Sequence, residues 1–186
     1  MRPRIWTWVW MPAIAILAFS ATTSAQAPAQ PTGEMKMDHA GGAKAPAVNT
    51  LTITYGGKSE VWTVASLALA KFDRTAVDVF NSHEKTQQHY SGVAVATLLA
   101  HIGVPITPHG KDFRLYLVAE GADGYQVVYS LGEVAPDVHD GTVIVADTLG
   151  VDELTGNGPF QLVATGEKRP ARWVRNLVSI RVLTAQ

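Results

Sequence analysis

From residue 51 to residue 183 the chain is written in short apolar runs, and glycine, proline or aspartate breaks up most of them. That cadence denies the region any long helix, so its core has to be assembled from brief elements, most of them extended. Leu51, Ile53 and Tyr55 alternate with polar residues, Gly56-Gly57 turns the chain, and Val61 and Thr63 resume the extended pattern of a β-hairpin. Thr63 is placed to cap a short helix over 64–72, with Leu67, Leu69 and Ala70 as its apolar face. The alternation of 75–80 predicts a strand, and 87–92 predicts another. Val95, Leu98, Leu99 and Ile102 follow helical spacing, and Gly103 is placed to stop that helix. Strands are expected over 113–119 and 125–129, around Gly121-Ala122-Asp123-Gly124, and then over 142–146, 160–164 and 177–183. Ser130 and Glu133 match the capping pattern of a short helix that ends near Pro136. Many short strands with three small helices between them predict one α+β domain dominated by mixed sheet.

The residues before this region read differently. Arg2 and Arg4, an apolar stretch over 5–19 and the small residues ending in Ala25-Gln26-Ala27 make the three parts of a cleaved secretory signal. A bilayer-spanning helix takes roughly 20 apolar residues, whereas this run is shorter and contains Pro12. Residues 1–27 are therefore expected to be a signal peptide, residues 28–49 a flexible linker and residues 50–186 the folded domain. The product is expected in the periplasm or secreted, with no membrane anchor after cleavage. The linker is rich in Ala, Pro and Gly and has too little apolar surface to offset the entropy of ordering. Within it Met35, Met37 and His39 offer thioether and imidazole donors of the kind that hold a soft ion such as Cu(I).

The chain has no cysteine, so burial alone has to hold the domain together, without disulfides. The same absence removes thiolate metal ligands, a thiol nucleophile and a lipoprotein anchor. Of 15 basic residues Arg2 and Arg4 lie in the leader, which leaves 13 against 16 acidic ones. So mild an acidic excess is no footprint for nucleic acid, and none is expected as a partner. There is no glycine-rich phosphate loop, no G-x-S-x-G and no H-E-x-x-H.

Three local constellations stand out. Asn81-Ser82-His83-Glu84, with His89-Tyr90 following, brings two imidazoles to a strand connection, against the plainer reading of exposed loop histidines. Gly121-Ala122-Asp123-Gly124-Tyr125 specifies a tight turn in which Asp123 bonds the backbone amides beyond it. Lys168, Arg169, Arg172 and Arg175 put four cations into eight residues with Trp173 among them. Forked guanidinium bonds to phosphate or carboxylate would suit that run, as would an arginine stacked on the indole; the plainer alternative is a solvated charged edge strand.

Taken in order, these residues resemble a known family. Tyr90-Ser91-Gly92-Val93-Ala94-Val95, Thr97-Leu98-Leu99 and Gly103-Val104 are similar to the W/Y-x-G-V-P-L…L-L…G-V passage of sulfite-oxidase-type molybdopterin-binding domains. The G-A-D-G-Y turn, Tyr129-Ser130-Leu131 with Glu133, Gly158-Pro159-Phe160-Gln161-Leu162-Val163 and the K-R-P-A-R-W-V-R-N run fit the same pattern. The resemblance implies a β-rich α+β fold with a grasp-like motif, and molybdopterin as the cofactor to test for. It also implies that Val174-Arg175-Asn176-Leu177 corresponds to the family's V-K-W-L passage, whose cation helps hold the cofactor. The family bonds molybdenum through a cysteine, and that place falls among Asn81, Ser82 and His83 here.

The expectation that follows is an exported molybdopterin-binding-like domain without molybdenum redox catalysis and with no metal assigned. It would bind an anionic small molecule or a periplasmic protein partner. The ligand-binding candidates are Ser82, His83, His89, Tyr90, Asp123, Tyr125, Lys168, Arg169, Arg172, Trp173 and Arg175. Two alternatives stay open: a molybdopterin-dependent oxidoreductase with a non-cysteine metal ligand, and a periplasmic copper-handling protein.

Overall fold

The computed structural model describes residues 48–156 and 158–186. The expected signal peptide and nearly all of the linker, including Met35, Met37 and His39, lie outside the described residues. Strands β1 (Leu51–Tyr55) and β2 (Lys58–Trp62) form the expected hairpin, and α1 (Val64–Leu69) follows. Next come β3 (Arg74–Asn81), β4 (Thr86–Ala94) and α2 (Val95–Ile102). A 3-10 turn over Gly110–Arg114 leads into β5 (Leu115–Gly121), β6 (Gln126–Ser130) and α3 (Leu131–Val134). The chain closes with β7 (Val143–Leu149), β8 (Asp152–Glu153), β9 (Gln161–Ala164), a 3-10 turn over Pro170–Arg172 and β10 (Leu177–Thr184).

These strands make two five-stranded sheets. The first runs β2-β1-β10-β5-β6, with β1 parallel to β10 and every other pair antiparallel, which is the grasp-like arrangement. The second runs β3-β4-β7-β8, with β9 also on β7. Helix α2 packs against β1 and β2 of one sheet and β4 and β7 of the other. Its Val95, Leu98, Leu99 and Ile102 are all buried and belong to one hydrophobic cluster that draws on both sheets. The architecture is therefore a β-rich α+β domain with few short helices, as the alternating runs predict.

Local chemistry explains the element ends. Gly103 takes the left-handed conformation with φ 98° and closes α2. Thr63 and Ser66 cap α1 reciprocally. The helix expected over 64–72 stops at Leu69, because Lys71 turns left-handed with φ 55° to swing the chain into β3. Its expected apolar face shrinks accordingly: Leu67 is buried, whereas Leu69 is 81% exposed. Phe113, expected in a strand, lies in the 3-10 turn and is exposed. Strand β8 went unpredicted, since Asp152-Glu153 carries no apolar signal and pairs only through backbone. Where β4 crosses β7, a Cβ on Gly92 would come within 1.9 Å of the Val145 carbonyl oxygen, so only glycine fits.

Candidate functional site

Alternation along β3 sends Val77, Val79 and Asn81 inward, and the last of these is a carboxamide only 2% exposed. Its Oδ1 accepts from the backbone amides of His83 at 3.0 Å and Glu84 at 3.2 Å, which folds the turn into β4. Its Nδ2 donates to Gln88 Oε1 at 3.0 Å. The Tyr90 hydroxyl donates to the same oxygen at 3.0 Å and lies 3.5 Å from Gln161 Nε2, a donor on β9. Gln88 Nε2 in turn donates to Glu84 Oε2 at 2.7 Å. Four neutral polar side chains thus bond one another at the inner end of the β3–β4 hairpin and hold one surface carboxylate. Burial raises the Tyr90 phenol above its ordinary range; the Gln161 contact opposes that, Glu84 adds to it and Arg175 opposes it. The Tyr90 ring packs edge-on against Trp173 with centroids 5.8 Å apart, and the Trp173 indole donates to the Ala164 carbonyl at 3.0 Å.

The three sequence constellations meet on the segment 171–176. Arg175 lies 3.5 Å from Glu84 Oε1 of the hairpin turn. The Ala122 amide donates to the Asn176 carbonyl at 2.9 Å, and Gly121 approaches the Arg175 carbonyl so closely that a Cβ would sit 2.9 Å from it. Asp123 Oδ1 accepts from the Tyr125 amide at 3.0 Å, as the turn reading requires, and the Tyr125 hydroxyl donates to the Ala171 carbonyl. Asn176 itself is left-handed, with φ 48°, and its Oδ1 accepts from the Val48 amide at 3.2 Å.

The cations of the C-terminal run have different surroundings. Arg172 donates to Glu133 Oε1 at 2.7 Å and through Nε to Glu167 Oε1 at 2.9 Å. Its guanidinium stacks on the Tyr129 ring, 4.4 Å from the centroid, and not on Trp173 as the sequence had suggested, because Trp173 is turned into the core. Hydrogen bonds to Glu133 and Glu167 outweigh burial and raise the Arg172 pKa. Lys168, Arg169 and Arg175 are exposed. The run is a loop and a 3-10 turn rather than an edge strand, tied down where Leu162 and Val174 exchange backbone bonds.

Of the other candidates, Ser82 and His83 belong to the Asn81–Glu84 turn and His89 lies away from it. Ser82 is half-buried and His83 exposed in the hairpin turn, while His89 sits on the outward face of β4 with its Nδ1 2.8 Å from Asp78. Among the described residues no three histidine, aspartate or glutamate side chains gather to hold a metal ion. Sequence reasoning missed Gln88 and Gln161. The available signal was parity, since Gln88 shares a face with Tyr90, and Gln161 opens a strand whose every residue is buried.

A domain of this architecture, with this convergence of loops, has the sulfite-oxidase-like fold. Among solved structures, the sulfane dehydrogenase SoxCD from Paracoccus pantotrophus is similar to it at TM-score 0.54 and 22% sequence identity, covering 75% of this chain and 39% of that one. The likeness shows the fold, and the chain spans well under half of that relative. No protein-family model and no curated protein matches the chain. The family resemblance of the sequence points to a pyranopterin-bound molybdenum, and the donors at the inner end of β3 decide whether this chain suits it. They are carboxamides and a phenol, already hydrogen-bonded to one another, and the chain has no sulfur anion to add. Such hard, neutral, mutually engaged groups do not fit a metal that takes a soft thiolate.

Proposed function

We propose that this protein is an exported binding module that keeps the sulfite-oxidase-like scaffold without molybdenum redox chemistry. Its working face is the junction of the Asn81–Glu84 turn, the Gly121–Tyr125 turn and the Lys168–Arg175 run. The ligand class is anionic, a small oxyanion or an acidic segment of a periplasmic partner. The observation that carries this reading is Asn81: the inward residue at the end of β3 is an amide tied into a network of amides. Exposed Arg175, Lys168 and Arg169 supply the positive charge of the face.

The experiment is elemental and pterin analysis of protein purified from a molybdenum-replete host. The expected result is molybdenum far below one per chain and no pterin fluorescence after acid oxidation. Stoichiometric molybdenum together with dye reduction would make the chain an oxidoreductase with a non-cysteine ligand.

A further inference from the structure

The ion pair between Glu84 and Arg175 is the loosest arginine–carboxylate pair among the described residues, followed by Arg181–Glu120 at 3.3 Å. Arg172 meets Glu133 at 2.7 Å and Arg74 meets Asp147 at 3.0 Å, both ordinary charge-assisted bonds. Arg175 and Glu84 approach only to 3.5 Å, and both are well exposed. Their backbones are held. Asn81 grips the Glu84 amide, and Gln88 grips Glu84 Oε2 and leaves Oε1 toward the guanidinium. On the other side, Val174 is bonded to Leu162, the Leu177 amide donates to the Phe160 carbonyl, and Ala122 holds the Asn176 carbonyl. The amide network therefore holds a carboxylate in front of Arg175 with one of its oxygens already engaged by Gln88.

We propose that Glu84 is a built-in competitor for Arg175, and that the ligand is an oxyanion group, carboxylate or phosphate, that displaces it. This rests on the anion-binding reading given above and names the contact that regulates it. An incoming oxyanion free to approach at about 2.7–2.9 Å in forked geometry satisfies the guanidinium better than the restrained Glu84 does. Gln88 and Asn81 are positioning residues here, because they act on Arg175 only through Glu84.

The test is calorimetric titration of the protein with inorganic phosphate and, separately, with a hexaglutamate peptide. Wild type, Glu84→Gln, Arg175→Gln and the double variant are compared at one ionic strength. Glu84→Gln, which keeps the length of the side chain, is expected to tighten binding roughly two- to fivefold, the range an exposed ion pair spans. Arg175→Gln is expected to remove most binding and, in the double variant, the gain from Glu84→Gln as well. Whichever probe responds identifies the source, a free oxyanion or an acidic peptide segment. If wild type binds a probe and Glu84→Gln binds it no better, the competitor idea fails while the anion-binding reading stands. A gain that survives in the double variant also overturns it, as a mere change of net charge. If neither wild type nor Glu84→Gln binds either probe, both fall together.

Discussion

Gln88 carries more of the site than any residue the cations suggested. One carboxamide accepts from Asn81 and from Tyr90 and donates to Glu84, so its removal leaves the buried Asn81 Nδ2 without its acceptor and Tyr90 with the Gln161 contact alone. Each buried group left without a partner costs about 1–3 kcal/mol. Gln88→Leu and Asn81→Ala are each expected to lower stability by that order in urea unfolding. Because they share one bond, the double variant is expected to miss additivity by about 0.5–3 kcal/mol. Strict additivity would mean that the amides do not act as a unit. Arg175, Tyr90 and Asp123 could be picked out from the chain itself, because charge, an aromatic opening the Y-S-G-V passage and an Asp-Gly turn carry local signals. Gln88 and Gln161 carry only the signal of parity, which gains meaning once strand register fixes the face each one takes.

Helix α3 has only four residues and depends on its ends. Ser130 and Glu133 cap it reciprocally: the Glu133 amide donates to the Ser130 hydroxyl oxygen at 3.3 Å, and Glu133 Oε2 accepts from the Ser130 amide at 2.8 Å. Burial alone would raise the Glu133 pKa, but hydrogen bonds from Arg172 and from the Ser130 backbone and hydroxyl more than reverse it, and the carboxyl ends below its ordinary value. A carboxylate depressed in this way stabilises the fold at neutral pH, and the contribution is lost as pH falls below the ordinary glutamate value of about 4.3 and through the folded one. Glu133→Gln is accordingly expected to be less stable than wild type at pH 7 and to converge with it in acid, read from unfolding midpoints across pH. A constant gap would show that the charge plays no part. This helix was legible because its capping pattern is written in two letters, as α2 was from its spacing and Gly103. The overshoot of α1 has a different origin: Leu69 and Ala70 favour helix, and the left-handed Lys71 answers to where β3 has to begin. Strand β8 is a product of pairing alone, and pairing is non-local.

The molecule as a whole is two sheets around α2, with the network of Asn81, Gln88, Tyr90 and Gln161 at one corner. The architecture was accessible from alternation and turn residues, because they are local. The closure of the hairpin turn on the C-terminal run was not, because it joins Glu84 to Arg175 and Ala122 to Asn176 across most of the domain. The central claim is that this corner is complete in its own side chains. A group that binds the folded state alone raises its stability by mass action, whereas a group with no site leaves it unchanged. The most direct measurement compares thermal unfolding of protein purified from molybdate-replete and molybdate-starved cultures of one host. The two midpoints are expected to coincide; a higher midpoint in the replete sample, lost on removal of the metal, would contradict the account.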